Sequence, residues 1–187
     1  QAKRQAGSAF KPFLYSAALD RGLTPASIIN DAPFVLDDAA LEASWRPQNN
    51  ARRFYGPTRL REALVRSQNL VSIRIMHSLG VRPVIEHVSQ FGFVPDSLPH
   101  NLSLALGTAQ VSPLEMANAY AVFANGGFRV QPYFIDRVVG PDNRVTLEAN
   151  PRLVCATCWD EAMAKQTALS TPDGAGPVAA QNVAVQS

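Results

Sequence analysis

Two short constellations in this 187-residue chain combine residue types that can carry covalent chemistry. Ser8 and Lys11 are three positions apart, which sets both side chains on one face of a helix. A serine hydroxyl is a weak nucleophile until a base takes its proton. A lysine serves as that base when burial depresses its pKa, and Lys11 is the only charged residue between Arg4 and Asp20. The N-terminus of a helix at Ser8 adds oriented N–H groups suited to a developing oxyanion. Taken alone, the pair reads more readily as a helix-capping serine beside a lysine that snorkels out of a core helix. Ser67-Gln68-Asn69 is the second constellation and the only Ser-x-Asn in the chain. It falls between two expected helices, where polar side chains can face a cleft or simply cap.

The elements that must position these groups are mostly helical. Phe10, Phe13, Leu14, Ala17 and Ala18 recur at helical spacing, so a largely buried helix is expected from about Ser8 to Leu19. Pro12 is tolerable only in its first turn. Residues 23–56 are rich in Pro, Asn and Asp and read as an irregular excursion. Pro57 suits the first position of a helix carrying Leu60, Ala63 and Leu64. Further helices are expected over 70–79, stopped by Gly80, and from near Pro83 to Gly92. After an irregular stretch over 93–111, Ser112-Pro113-Leu114-Glu115 forms a capping box that opens a helix ending at Asn125-Gly126-Gly127. Arg129–Val139 and Arg144–Glu148 read as strands joined by a turn at Gly140–Asn143. A lone hairpin is marginal. The expectation is therefore an α+β domain with an incomplete sheet, spanning residues 1–150, followed by an excursion or linker over 151–187.

Composition narrows the function classes. Seventeen basic and fifteen acidic residues leave a net charge of +2, and 47% of residues are hydrophobic, which argues against a disordered chain. The charge is spread along the chain and offers little to nucleic acid. The longest uncharged run, Ser97–Leu114, is too polar and too broken by proline to span a bilayer, and no signal peptide opens the chain. Lysines number only three, at 3, 11 and 165, against fourteen arginines, so Lys11 is conspicuous. Six arginines between Arg46 and Arg66 read as a solvated face, with an anionic glycan or a partner protein as the alternative. Cys155-x-x-Cys158 is compatible with redox or metal chemistry, but His77, His87 and His100 show no zinc-ligand spacing. Asn101-Leu102-Ser103 fits a glycosylation sequon and carries little weight.

A Ser-x-x-Lys followed by a Ser-x-Asn is the pattern of penicillin-recognising serine enzymes. Gln5-Ala-Gly-Ser-Ala-Phe-Lys-Pro-Phe13 resembles the acylation segment of the class A, bifunctional penicillin-binding proteins of proteobacterial type. Phe54–Leu64, Ser67–Ile73, Leu106–Ala117 and Ala119–Gly127 also resemble that family, in the same order. The resemblance covers residues 1–150 and implies a partial penicillin-binding, serine β-lactamase-like fold. It implies a D,D-transpeptidase that cross-links peptidoglycan stem peptides ending in D-Ala-D-Ala through an acyl-enzyme on Ser8. Lys11 would be the general base, Ser67 the proton relay and Asn69 a substrate-binding residue. β-Lactams would acylate Ser8, and no cofactor or metal is required. The family's third element, Lys-Thr-Gly, is absent from the sequence, as Lys165 is followed by Gln166-Thr167, and Ala6 stands where the family usually has Pro. The resemblance therefore also implies that the remainder of the same enzyme carries Lys-Thr-Gly, that this chain alone is inactive, and that a glycosyltransferase domain and membrane anchor belong to the parent protein. It implies work at the periplasmic side of the inner membrane, where a local Cys155–Cys158 disulfide is favoured over zinc. The competing readings are a β-lactamase or D,D-carboxypeptidase and a non-catalytic penicillin-binding sensor.

Overall fold

A computed structural model describes residues 2–35 and 45–151. Cys155, Cys158, Lys165 and the excursion or linker read over 151–187 lie outside the described residues, apart from Pro151. The chain divides into two compact units, Gln1–Pro132 and Tyr133–Ser187.

The first unit is organised around a buried helix that begins awkwardly. Residues Gly7–Phe10 form a tight 3-10 turn, and helix α1 follows over Lys11–Asp20. The sequence places the helix start at Ser8; the structure divides that start in two, and Pro12 supplies the reason. Pro12 has no N–H to donate to the Ser8 carbonyl. The Lys11 N–H takes that acceptor instead, closing a 3-10 turn. Phe13, Leu14, Tyr15, Ala17 and Ala18 of α1 are all buried. A short strand β1, Arg4–Gln5, runs into this turn.

The excursion expected over 23–56 contains structure that its composition hides. Strand β2, Ile28–Asp31, pairs antiparallel with β3, Gly56–Arg59, in the register Asn30 opposite Pro57. Pro57 is therefore a strand residue and not the first residue of a helix. Helix α2 starts three residues later and spans Leu60–Val65. Arg59, the residue that precedes it, gives it no side-chain cap. The carbonyls of Ser27 and Pro25 accept from the N–H groups of Leu60 and Arg61 at 2.8 and 3.1 Å. Tertiary contacts thus satisfy the orphan donors of its first turn.

Helices α3, Asn69–Leu79, and α4, Val81–Ser89, flank Gly80 as the sequence suggests. Helix α1 packs against both, and α3 carries the buried Leu70, Val71, Ile73, Ile75 and Met76. His87 of α4 binds the Ser16 hydroxyl at 3.0 Å and Asp20 at 3.6 Å, tying it to the outer half of α1. Two 3-10 turns, Pro95–Ser97 and Leu102–Leu106, precede strand β4, Gln110–Val111, which pairs antiparallel with β1. Helix α5, Pro113–Ala124, opens with the expected capping box: Ser112 Oγ accepts from the Glu115 N–H at 3.2 Å, and Glu115 Oε2 accepts from the Ser112 N–H at 2.7 Å. In the second unit, β5, Arg137–Val139, and β6, Val145–Glu148, form a hairpin closed by the Gly140–Asn143 turn. The strand expected from Arg129 is confined to its last three residues. The architecture is α+β.

Candidate active site

Lys11 is the unusual residue of α1. Its side chain is 1% exposed, on the first turn of a helix that otherwise buries hydrocarbon. Burial pushes its ammonium down from 10.5 to about 8, because low dielectric disfavours the charged form. The ammonium is nonetheless fully partnered. Nζ donates to the Ser67 carbonyl at 2.6 Å, to Asn69 Oδ1 at 2.8 Å and to Ser67 Oγ at 3.0 Å. Three donors meet three acceptors, and the snorkelling alternative does not describe this lysine.

Ser8 sits one turn before Lys11, exposed on the 3-10 turn. Ser67 Oγ donates to Ser8 Oγ at 2.9 Å. The link between Lys11 and Ser8 therefore runs through the Ser67 hydroxyl, with the proton polarity Lys11 to Ser67 to Ser8. All four residues singled out by spacing, Ser8, Lys11, Ser67 and Asn69, fall within one hydrogen-bonded cluster, although some sixty residues separate the two constellations.

The backbone before Ser8 is held by close approach. The N–H groups of Ala6 and Gly7 donate to the carbonyls of Ala109 and Gly107 at 3.0 and 2.8 Å, continuing the β1–β4 pairing. Gly107 has φ +74°, and a Cβ there would fall on the Gly7 carbonyl oxygen. Only glycine lets the two strands of backbone touch. Tyr120 of α5 donates its hydroxyl to the Ala9 carbonyl at 2.9 Å, immediately after Ser8.

Ser67 occupies the residue position that ends α2. Its N–H bonds the Leu64 carbonyl and the Gln68 N–H bonds the Ala63 carbonyl, both at 2.9 Å. This is a Schellman motif, whose left-handed position usually holds glycine. Ser67 holds it with φ +52°. Next to it Gln68 is 2% exposed, and neither atom of its amide has a hydrogen-bond partner among the described residues. Two local costs thus coincide at the turn that carries Ser67 Oγ and Asn69.

A family model for the penicillin binding protein transpeptidase domain matches residues 1–171. The chain belongs to the penicillin-binding protein transpeptidase family. Penicillin-binding protein 1A of Pseudomonas aeruginosa is 56% identical over 151 residues, covering 81% of this chain and 18% of the relative. Penicillin-binding protein 1A of Vibrio cholerae is 39% identical over 186 residues, covering the whole of this chain and 22% of the relative. The crystal structure of penicillin-binding protein 1A from Haemophilus influenzae superposes with a TM-score of 0.79 at 40% identity, over 84% of this chain and 24% of that one. The chain thus spans about a fifth of the length of the curated relatives it matches. Membership supports an acyl-transferring, transpeptidase-type reaction and the partial α+β transpeptidase fold. Among the described residues no helix is long and apolar enough to cross a membrane.

Sequence reasoning missed three contributors to this site: Gly107, Asn49, whose Oδ1 accepts from the Asn69 N–H at 2.9 Å, and Asp31, which accepts from Asn49 Nδ2 at 2.8 Å. Asp31 and Asn49 lie in the stretch read as irregular, and Gly107 in the stretch over 93–111. Asp31 is fully buried and Asn49 is 5% exposed, which no local pattern announces. For Gly107 the signal is only a glycine after a short apolar run.

Proposed function

We propose that this chain contributes the nucleophile half of a D,D-transpeptidase in peptidoglycan synthesis. The observation that supports it best is the continuous Lys11–Ser67–Ser8 hydrogen-bonded chain at a buried lysine and an exposed serine hydroxyl. In the reacting state Lys11 is neutral. The Ser8 proton then passes to Ser67 Oγ while the Ser67 proton passes to Nζ, reversing the polarity of the resting chain. Ser8 Oγ bonds to the penultimate D-Ala carbonyl carbon, and the carbonyl oxygen becomes an oxyanion beside the Ser8 N–H. That N–H is an early donor of its turn, with no acceptor inside the helix. Collapse breaks the peptide C–N bond, and Lys11 returns its proton through Ser67 to the departing D-Ala amine. The acyl group on Ser8 is then taken by the amine of a neighbouring strand. General acid–base assistance of this kind contributes roughly 10²–10⁴-fold.

Asn69 Oδ1 faces Lys11, and its Nδ2 donates to the Gln48 carbonyl at 2.9 Å, so both ends of its amide are engaged in the resting site. In this reading Asn69 orients Lys11, and it reaches the substrate amide only by exchanging one of those bonds. β-Lactams acylate the same Ser8, and the remainder of the enzyme supplies Lys-Thr-Gly and acts at the periplasmic face of the inner membrane.

The test is intact mass of the full-length protein after incubation with penicillin. The expected result is one stable adduct on Ser8, lost in Ser8→Ala. Rapid loss of the adduct would indicate a β-lactamase, and no adduct at all a binding module.

A further inference from the structure

The strained turn that carries Ser67 and Asn69 has an external anchor. The Asn49 side chain is inserted between two groups of opposite need. Its Nδ2 donates to both carboxylate oxygens of Asp31, at 2.8 and 2.9 Å, and to the Arg53 carbonyl at 3.1 Å. Its Oδ1 accepts from the N–H groups of Asn69 and Leu70, at 2.9 and 3.3 Å. All acceptors lie at one end of the amide and all donors at the other, so the orientation is fixed. Asp31 in turn is pinned in β2, its Oδ2 also accepting from the Tyr55 N–H at 3.0 Å. The adjacent Gln48 carbonyl receives Asn69 Nδ2 at 2.9 Å.

Helix α3 has no side-chain cap of its own from Gln68, the residue that precedes it. Asn49 supplies that cap from twenty residues away. The first-turn donors it satisfies have no acceptor within the helix. With Asn69 held through its backbone N–H and its Nδ2, only its Oδ1 remains for Lys11. We propose that Asn49, oriented by the buried carboxylate of Asp31, is the positioning residue that sets Asn69 and Ser67 against Lys11. Strained conformations persist only where their surroundings over-determine them; here Asp31 and Asn49 do so. This inference rests on the transpeptidase reading above.

The assay is the acylation rate of the full-length protein with a fluorescent penicillin, measured per folded molecule and across pH. Asn49→Ala should acylate roughly 10–100-fold more slowly than a Val88→Ala control, matched for thermal destabilisation, because the attacking groups lose alignment. The inflection of its pH–rate profile should also shift, since Lys11 loses a fixed acceptor. Asn49→Asp sets two carboxylates against each other and should be worse. The exchanged pair Asp31→Asn with Asn49→Asp restores a donor facing an acceptor between positions 31 and 49, while turning a carboxylate oxygen towards the Arg53 carbonyl, and should acylate faster than Asn49→Asp alone. In the unmodified protein the Asn69 and Leu70 amides should exchange slowly with solvent. Wild-type acylation and pH profile in Asn49→Ala, no recovery in the exchanged pair, or fast exchange at Asn69 would each overturn the positioning role. Labelling that survives Ser8→Ala would instead overturn the transpeptidase reading, and this inference with it.

Discussion

Lys11 and Ser67 show what the site demands of single residues. With its pKa at about 8, Lys11 is about one-tenth neutral at pH 7. If neutral Lys11 is the base, the acylation rate should rise about tenfold from pH 7 to a plateau above pH 9, with its inflection near 8. A stopped-flow penicillin assay reads this directly, and a flat profile would argue against it. The stability consequence has a definite sign. The folded pKa lies below the ordinary value of 10.5 expected in the unfolded chain, so the unfolded chain holds the proton more tightly. The cost of burying the charge is complete below pH 8 and fades as pH rises from about 8 to 10.5. The urea midpoint of the wild type, relative to Lys11→Met, should climb across that window. At Ser67, a left-handed conformation costs roughly 1–2 kcal/mol for a residue with a Cβ. Ser67→Gly relieves that strain but loses one acceptor for Lys11 and the relay hydroxyl. Its melting temperature should stay near that of the wild type while acylation falls by roughly 10²-fold or more. A variant that melts normally and acylates normally would remove Ser67 from the mechanism.

At the scale of elements, the turn bearing Ser8 is held by its neighbours more than by its own propensity. The β1–β4 pairing and the Gly7–Gly107 contact press residues 4–7 against 107–111. Gly107→Ala would drive a methyl group into the Gly7 carbonyl, so the contact must open and Ser8 must move with it. The expected outcome is a stability loss of about 2 kcal/mol or more, with a fall in acylation larger than that loss explains. Urea unfolding and penicillin labelling of the same sample separate the two effects. The helices with their own start and stop signals were legible in the sequence. Helix α5 has its capping box, and α3 ends at Gly80. Helix α2 was misplaced because its first N–H groups are satisfied by Ser27 and Pro25, partners that no local pattern encodes. Strands β2 and β3 were missed because each is only four residues long and neither alternates in hydrophobicity. Their pairing is decided by long-range hydrogen bonds.

In the first unit the core explains why the site can hold a buried lysine. Phe13, one turn before the middle of α1, sits among five rings: Phe93 at 5.0 Å, Phe91 and Tyr120 at 5.1 Å, Phe123 at 5.3 Å and Phe10 at 6.0 Å between centroids. These rings come from the 3-10 turn before α1, from α5 and from the segment after α4, so one residue of α1 joins three other parts of the unit around the helix that carries Lys11. Phe13→Ala should cost about 3–5 kcal/mol. Thermal melting checks it, and a loss below 1 kcal/mol would mean that the cluster closes over the cavity.

The sequence by itself determined the candidate chemical groups and the helical framework. Ser-x-x-Lys, Ser-x-Asn and the apolar periodicity of α1 are local patterns, fixed by spacing along the chain. The residues around them resemble the transpeptidase family to which the chain belongs. Tertiary structure alone decided how the two constellations meet. Lys11 reaches Ser67 and Asn69 only because α1 packs on α3. Ser67 adopts its left-handed turn, and Asn69 faces inward, beside Asp31 and Asn49 from a stretch without periodicity. Burial and hydrogen bonding between distant residues set those contacts, and neither quantity is written in the neighbours of any one residue.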